Sequence, residues 1–297
     1  MVQLIKSPLR YPGGKNKIAE QIAFMAPEFT EYREPLVGGG SVYFANRQLY
    51  ANNSNVLSND KKYWINDLNY ELYNFWDICQ QDTDFIINKA TEWRNKYLFQ
   101  NKDNSNGKEL HRYLRQNLNV FNNKELAAAY FTLNRIVFAG GTLVSGVTLQ
   151  HIDGFKELDI KNHFNGISDI LKGTRITNLD YSKVVQADGK DIYIFCDAPY
   201  YSATDSGLYG KSDKWRNLHK MFDHQRFANT MKNITETTNH KWLATYDDSP
   251  IIRKMFSWAN IIEFKLQYGG SKIGNEIFIS NFELPKDKQR TIDDSWF

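Results

Sequence analysis

Three short segments of this 297-residue chain carry residues whose types and spacing suit chemistry. The sharpest is Cys196-Asp197-Ala198-Pro199-Tyr200-Tyr201, which follows the apolar run Ile192-Tyr193-Ile194-Phe195. Such a run reads as a buried strand. In an open α/β sheet, ligands bind beyond the carboxyl ends of the strands. An aspartate there can accept a hydrogen bond from an amino group. Nearby backbone carbonyls, held by the restricted geometry of proline, can accept a second. Two acceptors around one NH2 align the nitrogen lone pair with an electrophile. Tyr200 offers a face for stacking a planar ring. Standing alone, the same residues also suit an Asp-Pro turn after a core strand.

The second segment is Glu34-Pro35-Leu36-Val37-Gly38-Gly39-Gly40-Ser41. A strand that ends in glycines before a helix lets a ligand approach the backbone. Asp67 ends the next expected strand, somewhat beyond the ~20-residue offset at which an acidic residue meets a ribose in dinucleotide sites. A tight turn with an ordinary strand-end aspartate has the same appearance. The third segment is Pro12-Gly13-Gly14-Lys15. A Gly-Gly-Lys element before a helix suits a carboxylate or phosphate, but its spacing is not that of a Walker A loop.

The surrounding pattern indicates how these residues are positioned. Helices are expected after Pro12-Gly13-Gly14, over Val42 to Leu49, around Leu72 to Cys79, over Leu126 to Phe138, and over Phe222 to Ile234 and Ile251 to Trp258. Strands are expected near Tyr32 to Val37, Tyr63 to Ile65, Arg175 to Thr177, Ile192 to Phe195, Trp242 to Tyr246, Ile261 to Leu266 and Ile277 to Ser280. The β-prone stretch Thr142 to Ile152 suggests a hairpin. Strand–helix alternation implies an α/β fold with a largely parallel sheet and helices on both faces. The helical block at 81–171 looks inserted between two halves of that sheet, 1–80 and 172–297.

Hydrophobic residues make up 41% of the chain, enough for a sizeable core, and the net charge is only +3. Charge is unevenly placed: from Arg94 to Arg135 there are eight Lys/Arg against three Asp/Glu. Such a zone can track a phosphate backbone, and it equally suits a solvated helical surface. The two cysteines, Cys79 and Cys196, have no metal-ligand spacing and point to a reduced compartment. No histidine pair has ligand spacing, so no metal is expected. The first residues lack the apolar run of a signal peptide, and no stretch reaches the roughly 20 apolar residues of a membrane span. A cytoplasmic protein without a membrane partner is expected.

Taken together and in order, these segments resemble the Dam-like, D12-class DNA adenine N6-methyltransferases over nearly the whole chain. Leu9-Arg10-Tyr11-Pro12-Gly13-Gly14-Lys15 is similar to the family's N-terminal element, which contacts the methyl donor. This implies cofactor roles for Tyr11, Gly13, Gly14 and Lys15. Glu34 to Ser41 resembles the E-P-F-x-G-x-G-S loop, with Leu36 in the Phe position, and implicates Glu34, Pro35, Leu36, Gly38, Gly40 and Ser41. Asn66-Asp67-Leu68-Asn69 is similar to the N-D-x-N element, whose Asp holds the cofactor ribose, with Leu68 beside it. Leu179-Asp180-Tyr181 resembles the element near the cofactor adenine, and Gly274 to Asn281 the closing strand. Asp197-Ala198-Pro199-Tyr200 resembles the catalytic D-P-P-Y. Tyr201-Ser202-Ala203-Thr204 and Leu133-Asn134-Arg135 are similar to one subgroup of the family.

The resemblance implies a Rossmann-like S-adenosylmethionine-dependent methyltransferase with an inserted, mostly helical DNA-recognition domain. The implied reaction is direct methyl transfer from S-adenosylmethionine to N6 of an adenine flipped out of double-stranded DNA. Asp197, Ala198, Pro199 and Tyr200 would act at the amino group, and Asp197 would also border the donor. Cys196 would only pack behind them. Arg10, Arg112, Arg115, Lys124, Asn134, Arg135, Lys211, Lys214 and Arg216 are the candidate DNA contacts. A monomer with no obligate protein partner is expected. One departure stands out: Ala198 replaces the first proline of the motif, which keeps the carbonyl but frees φ. Reduced or condition-dependent activity is the expectation from that change. The alternatives are a silent DNA-binding paralogue and a cytosine N4-methyltransferase.

Overall fold

The computed structural model describes residues 4–50, 61–98, 104–142, 145–203, 222–267 and 273–284. The chain begins with α1 (Ala19–Phe24), β1 (Glu31–Glu34), α2 (Ser41–Leu49), β2 (Lys62–Asn66) and α3 (Tyr70–Gln81). The helical block follows as α4 (Thr83–Leu98), α5 (Asn104–Asn117), α6 (Asn123–Ile136), α7 (Leu149–Asp153), α8 (Glu157–Phe164) and α9 (Ile167–Leu171). Alternation resumes with β3 (Arg175–Thr177), α10 (Tyr181–Val185), β4 (Ile192–Asp197), α11 (His224–Thr237), β5 (Lys241–Asp247), α12 (Pro250–Met255), β6 (Asn260–Gln267) and β7 (Ile273–Ser280).

The seven strands form one sheet in the order β3-β2-β1-β4-β5-β7-β6. The first five run parallel, and β7 is antiparallel to both β5 and β6. This is the mixed α/β fold that the alternation implied. From β1 the chain winds outward through β2 and β3, then returns to β4 on the other side of β1. The crevice beyond β1 and β4 is therefore a topological switch point, where α/β sheets bind ligands. Glu34 ends β1, Asn66 ends β2 and Asp197 ends β4, so three polar strand ends meet there.

Both faces of the sheet are covered. One core cluster joins Phe29, Tyr32 and Phe44 to Phe75 and Trp76 of α3, and continues into the helical block through Ile86, Trp93, Phe131 and Phe164. The Phe131 and Phe164 rings meet edge-on, 4.7 Å apart. The block from α4 to α9 thus shares its apolar interior with the sheet instead of enclosing a separate one. The other face packs Tyr181, Phe227, Met231, Trp242 and Phe256. Local signals start the helices: Asn69 accepts from the amides of Glu71 and Leu72 to cap α3, and Asn122 with Glu125 forms a capping box on α6.

The hairpin expected over Thr142 to Ile152 is corrected. An isolated bridge joins Val137 to Val147, and the chain then turns into α7. Thr148 caps that helix by accepting from the His151 amide, and Gly154 ends it. Among the described residues, no helix is long and apolar enough to cross a membrane.

The glycine loop after β1 is shaped by contact with Tyr11. A Cβ on Gly39 would lie 2.6 Å from the Tyr11 Cβ, and one on Gly38 2.9 Å from its ring. Gly38 and Gly40 have φ of +48° and +71°, which disfavours any side chain. The expected outcome for Gly39→Ala is a loss of about 1–3 kcal/mol in chemical denaturation, the range for overpacking a tight contact. Gly146→Ala, whose methyl meets open space, is the control, with an expected change within about 0.5 kcal/mol.

Candidate active site

A cavity of about 380 Å³ opens at the switch point. Its floor is built from the ends of β1 and β4 and from Asp67 just beyond β2, its wall from the glycine loop, and its rim from the N-terminal segment and α11. Every residue expected to hold a cofactor lines it except Pro35: Tyr11, Gly13, Gly14, Lys15, Glu34, Leu36, Gly38, Gly40, Ser41, Asp67, Leu68, Asp180, Tyr181 and Asp197. Pro35 instead turns its carbonyl to the Asn66 amide at 2.9 Å, so its role is to tie β1 to β2. Ala198, Pro199 and Tyr200 line the cavity as well.

Asp197 sits at the carboxyl end of β4, paired in register with Thr245 of β5. Its Oδ1 accepts from the Thr245 hydroxyl at 2.6 Å and from Lys15 Nζ at 2.7 Å. Among the described residues, its Oδ2 has no hydrogen-bond partner, and the side chain remains 24% exposed. One carboxylate oxygen is thus fixed by the protein while the other has no hydrogen-bond partner among the described residues. Lys15 is 2% exposed, also donates to the Gly13 carbonyl at 3.1 Å, and lies 4.8 Å over the Tyr200 ring. The Gly13-Gly14-Lys15 element therefore directs its charge at the Asp197 carboxylate.

The loop after Asp197 is tethered to the same strands. The backbone amides of Tyr201 and Ser202 donate to Asp247 at 2.7 and 3.0 Å. The Tyr200 hydroxyl donates to Glu276 on β7. Thr245 and Asp247 alternate along β5, and Glu276 pairs with Asp247 in register, so all three project to one face. Sequence reasoning missed Thr245, Asp247 and Glu276. Their signal is strand register, which a single sequence does not display.

The glycine-loop side of the cavity is tied together just as closely. Asp67 accepts from the Gly38 amide at 3.0 Å and from the Asn69 amide at 2.9 Å. Burial holds its carboxyl up at about 6, while the amides of Asn69, Gly38 and Leu68 pull the other way. Trp76 of α3 donates to the Gly38 carbonyl at 3.1 Å and braces the loop from behind. Glu34 is buried under the cavity and accepts from the Tyr32 hydroxyl at 2.5 Å. Burial pushes its carboxyl well above the usual range, and the neighbouring Asp197 charge pushes in the same direction. Asp180 caps α10, but Arg226 of α11 engages both of its oxygens, at 2.7 and 2.9 Å. This pairing holds the Asp180 carboxyl down to about 2. Arg226, Tyr130 and the Gly140-Gly141-Thr142 turn are cavity residues that the sequence did not single out.

The candidate DNA contacts divide. Arg112 is exposed and Arg115 half-buried on α5. Arg10 and Arg135 are half-buried, and neither forms an ion pair with a carboxylate among the described residues. Burial and the Arg10 charge bring the Arg135 guanidinium down to about 10. Lys124 is taken up by Asp82 at 2.6 Å. Lys211, Lys214 and Arg216 lie outside the described residues. Asn134 is corrected from a base-reading candidate to a structural clamp, because it is fully buried. Its Oδ1 accepts from the Arg10 amide at 2.9 Å, and its Nδ2 reaches the Arg10 carbonyl at 2.7 Å and Thr142 at 2.8 Å. No atom of that amide is left to face a base.

A model of the D12 class N6 adenine-specific DNA methyltransferases matches residues 11–269. The chain belongs to this family. It is 28% identical over 206 residues to the DNA N-6-adenine-methyltransferase of Escherichia phage P1, covering 66% of this chain and 24% of the phage protein. It is 26% identical over 216 residues to the type II methyltransferase M.MjaIII of Methanocaldococcus jannaschii, covering 66% of this chain and 69% of that enzyme. Against the DNA adenine methylase of Vibrio cholerae the identity is 28% over 134 residues, 44% of this chain and 41% of that protein. The D12-class chain thus spans about a quarter of the phage relative and over two thirds of the archaeal one.

Asn134 supplies a test of this site. Asn134→Ala should lower unfolding stability by on the order of 1–3 kcal/mol, because it strands the buried polar groups it now satisfies. Urea titration of both proteins gives the difference. Unchanged stability would remove the clamp role from Asn134.

Proposed function

We propose that this D12-class enzyme transfers a methyl group from S-adenosylmethionine to N6 of adenine in double-stranded DNA. The observation that carries the reading is Asp197: one oxygen pinned by Lys15 and Thr245, the other open to the cavity side of the sheet. The cavity residues fit the donor. Gly38 and Gly40 present bare backbone, Asp67 offers a carboxylate for ribose hydroxyls, and Asp180 with Tyr181 borders the far end. When bound, S-adenosylmethionine supplies an electrophilic sulfonium methyl group.

The residues of the chain supply the rest. Asp197 Oδ2 and the Ala198 carbonyl accept hydrogen bonds from the two N–H groups of the target amine, and Asp197 Oδ2 takes the proton that the nitrogen gives up as it gains the methyl group. That draws the nitrogen towards tetrahedral geometry and frees its lone pair, which the ring otherwise delocalises. Fixed acceptors of this kind act without reorganisation as charge shifts in the transition state. The Tyr200 ring stacks the base. An adenine inside a duplex cannot reach this pocket, so it must be flipped out. Arg10 and Arg135, half-buried cations that form no ion pair with a carboxylate among the described residues, are suited to phosphates near the flipped base. The block at 81–171 would carry most of the target reading. Adenine is favoured over cytosine N4 by the family match and by Asp at position 197.

The first experiment is methyl transfer from radiolabelled S-adenosylmethionine to unmethylated genomic DNA, followed by nucleoside analysis. Label in N6-methyladenine is the expected result. Label in N4-methylcytosine would select the cytosine reading. DNA binding with no label would select a silent paralogue. Ala198→Pro belongs in the same assay. The tethers on Asp197, Tyr200, Tyr201 and Ser202 hold the loop without a second proline, so turnover should change by less than about tenfold. A larger gain would make Ala198 the limiting residue.

Asp67 predicts a pH dependence. It accepts ribose hydroxyls best as a carboxylate, and its pKa in the fold is about 6 against an ordinary 3.8. Affinity for S-adenosylmethionine should therefore fall as pH drops through about 6, and Asp67→Asn should flatten the profile. Calorimetric titration between pH 5 and pH 8 would check this, and a flat wild-type profile would remove Asp67 from the ribose.

A further inference from the structure

Glu276 lies on β7, fully buried and outside the cavity lining. A carboxylate in that position needs charged or hydrogen-bonding partners to offset its lost hydration. The Tyr200 hydroxyl donates to its Oε2, and Lys15 Nζ stands 3.9 Å from the same oxygen. Lys15 in turn holds Asp197 at 2.7 Å and lies 4.8 Å over the Tyr200 ring. A part-exposed carboxylate, Asp197, and a buried one, Glu276, therefore share one ammonium, and the ring that lines the cavity is attached to the second of them. If Tyr200 rotates, Glu276 loses its hydroxyl donor. If Lys15 moves, Asp197 and Glu276 both lose their cation.

We infer that Glu276 is a positioning residue of the methyl-transfer site, holding the Tyr200 ring and the Lys15–Asp197 contact in one arrangement. The inference rests on the function proposed above. Glu276 touches neither donor nor base. It fixes the stacking face relative to the open oxygen of Asp197, so that a base seated on the ring presents its amine to that oxygen. A glutamine would keep the volume and an acceptor for Tyr200 but would remove the charge shared through Lys15. Phenylalanine at position 200 would keep the ring and remove only the hydroxyl.

The test uses the full chain and compares Glu276→Gln, Tyr200→Phe and the double variant. Single-turnover methylation is measured on a duplex carrying the site located by sequencing modified DNA, and duplex affinity is measured separately. Each single variant should lose about tenfold or more in rate with duplex affinity changed by less than about threefold, and the double variant should be no slower than the slower single. With 2-aminopurine at the target position and no methyl donor present, both singles should be brighter than wild type, because a loosened ring stacks and quenches less. A wild-type rate in either variant, additive losses in the double, or unchanged fluorescence would overturn the inference. If Glu276→Gln does not fold, Tyr200→Phe decides alone, by rate and fluorescence. A wild-type protein that methylates no adenine would sink the proposed function and this inference with it. An active wild type with unaffected variants would sink only the inference.

Discussion

The Lys15 side chain is 2% exposed, and an amine so placed is tolerable only beside hydrogen-bonding or negative partners. Asp197 at 2.7 Å and Glu276 at 3.9 Å supply them from two different strands. The rest of the cavity follows from that constraint. The segment leading to Lys15 is drawn across the carboxyl ends of the sheet, which lays Tyr11 over the glycine loop. That contact leaves no room for a side chain at Gly38 or Gly39. Bare backbone results on the wall opposite Asp197, and the Gly38 amide is free to meet Asp67. One part-buried ion pair thus couples the surface proposed for the donor to the carboxylate proposed for the acceptor.

The N-terminal segment is anchored at a second point. Asn134 of α6 binds both the amide and the carbonyl of Arg10. A Cβ on Gly140 would fall 2.3 Å from that same carbonyl, so the turn after α6 must be glycine there. Through this junction Tyr130, Gly140, Gly141 and Thr142 reach the cavity. The helical block therefore contributes to the cavity wall, and Arg10 and Arg135 stand at the seam. Partial burial and their mutual repulsion outweigh the nearby Asp159 charge at Arg135, which leaves the seam receptive to an anion. This is a stronger argument for phosphate than the excess of basic residues between Arg94 and Arg135, since Lys124 in that stretch is already neutralised by Asp82.

What the sequence disclosed and what it hid follow from the range of the interactions concerned. The strands ending near Asn66 and Asp197 were legible because apolar runs followed by polar turns are local patterns, whereas β1 stops at Glu34, three residues short of the expected Val37, because the chain turns at Pro35. The seven-strand α/β sheet was legible from their alternation. Asn134 was misread because its partners, Arg10 and Thr142, meet it only in the folded chain; an amide beside an arginine looks like a base reader until burial is known. Pro35 lies in the turn after β1 and is absent from the cavity lining, its carbonyl taken by the Asn66 side-chain amide. The stretch Thr142 to Ile152 has strand-like composition, but the local Thr148 cap and Gly154 prevail over that propensity.

The alanine at position 198 shows how restraint can be redistributed. A proline there would limit the loop through its own ring. Here the loop is limited by its surroundings instead. Thr245 holds Asp197 from one ladder position, Asp247 holds the amides of Tyr201 and Ser202 from the next on that face, and Glu276 holds Tyr200 from the neighbouring strand. Ala198 is itself 2% exposed, so its carbonyl has little room to swing. A proline ring restricts one φ angle, whereas these tethers restrict the residues on both sides of it. The conformational freedom that alanine adds to the unfolded chain is real. In the folded loop that freedom is already removed, so the Ala198 carbonyl stays beside Asp197 without the ring.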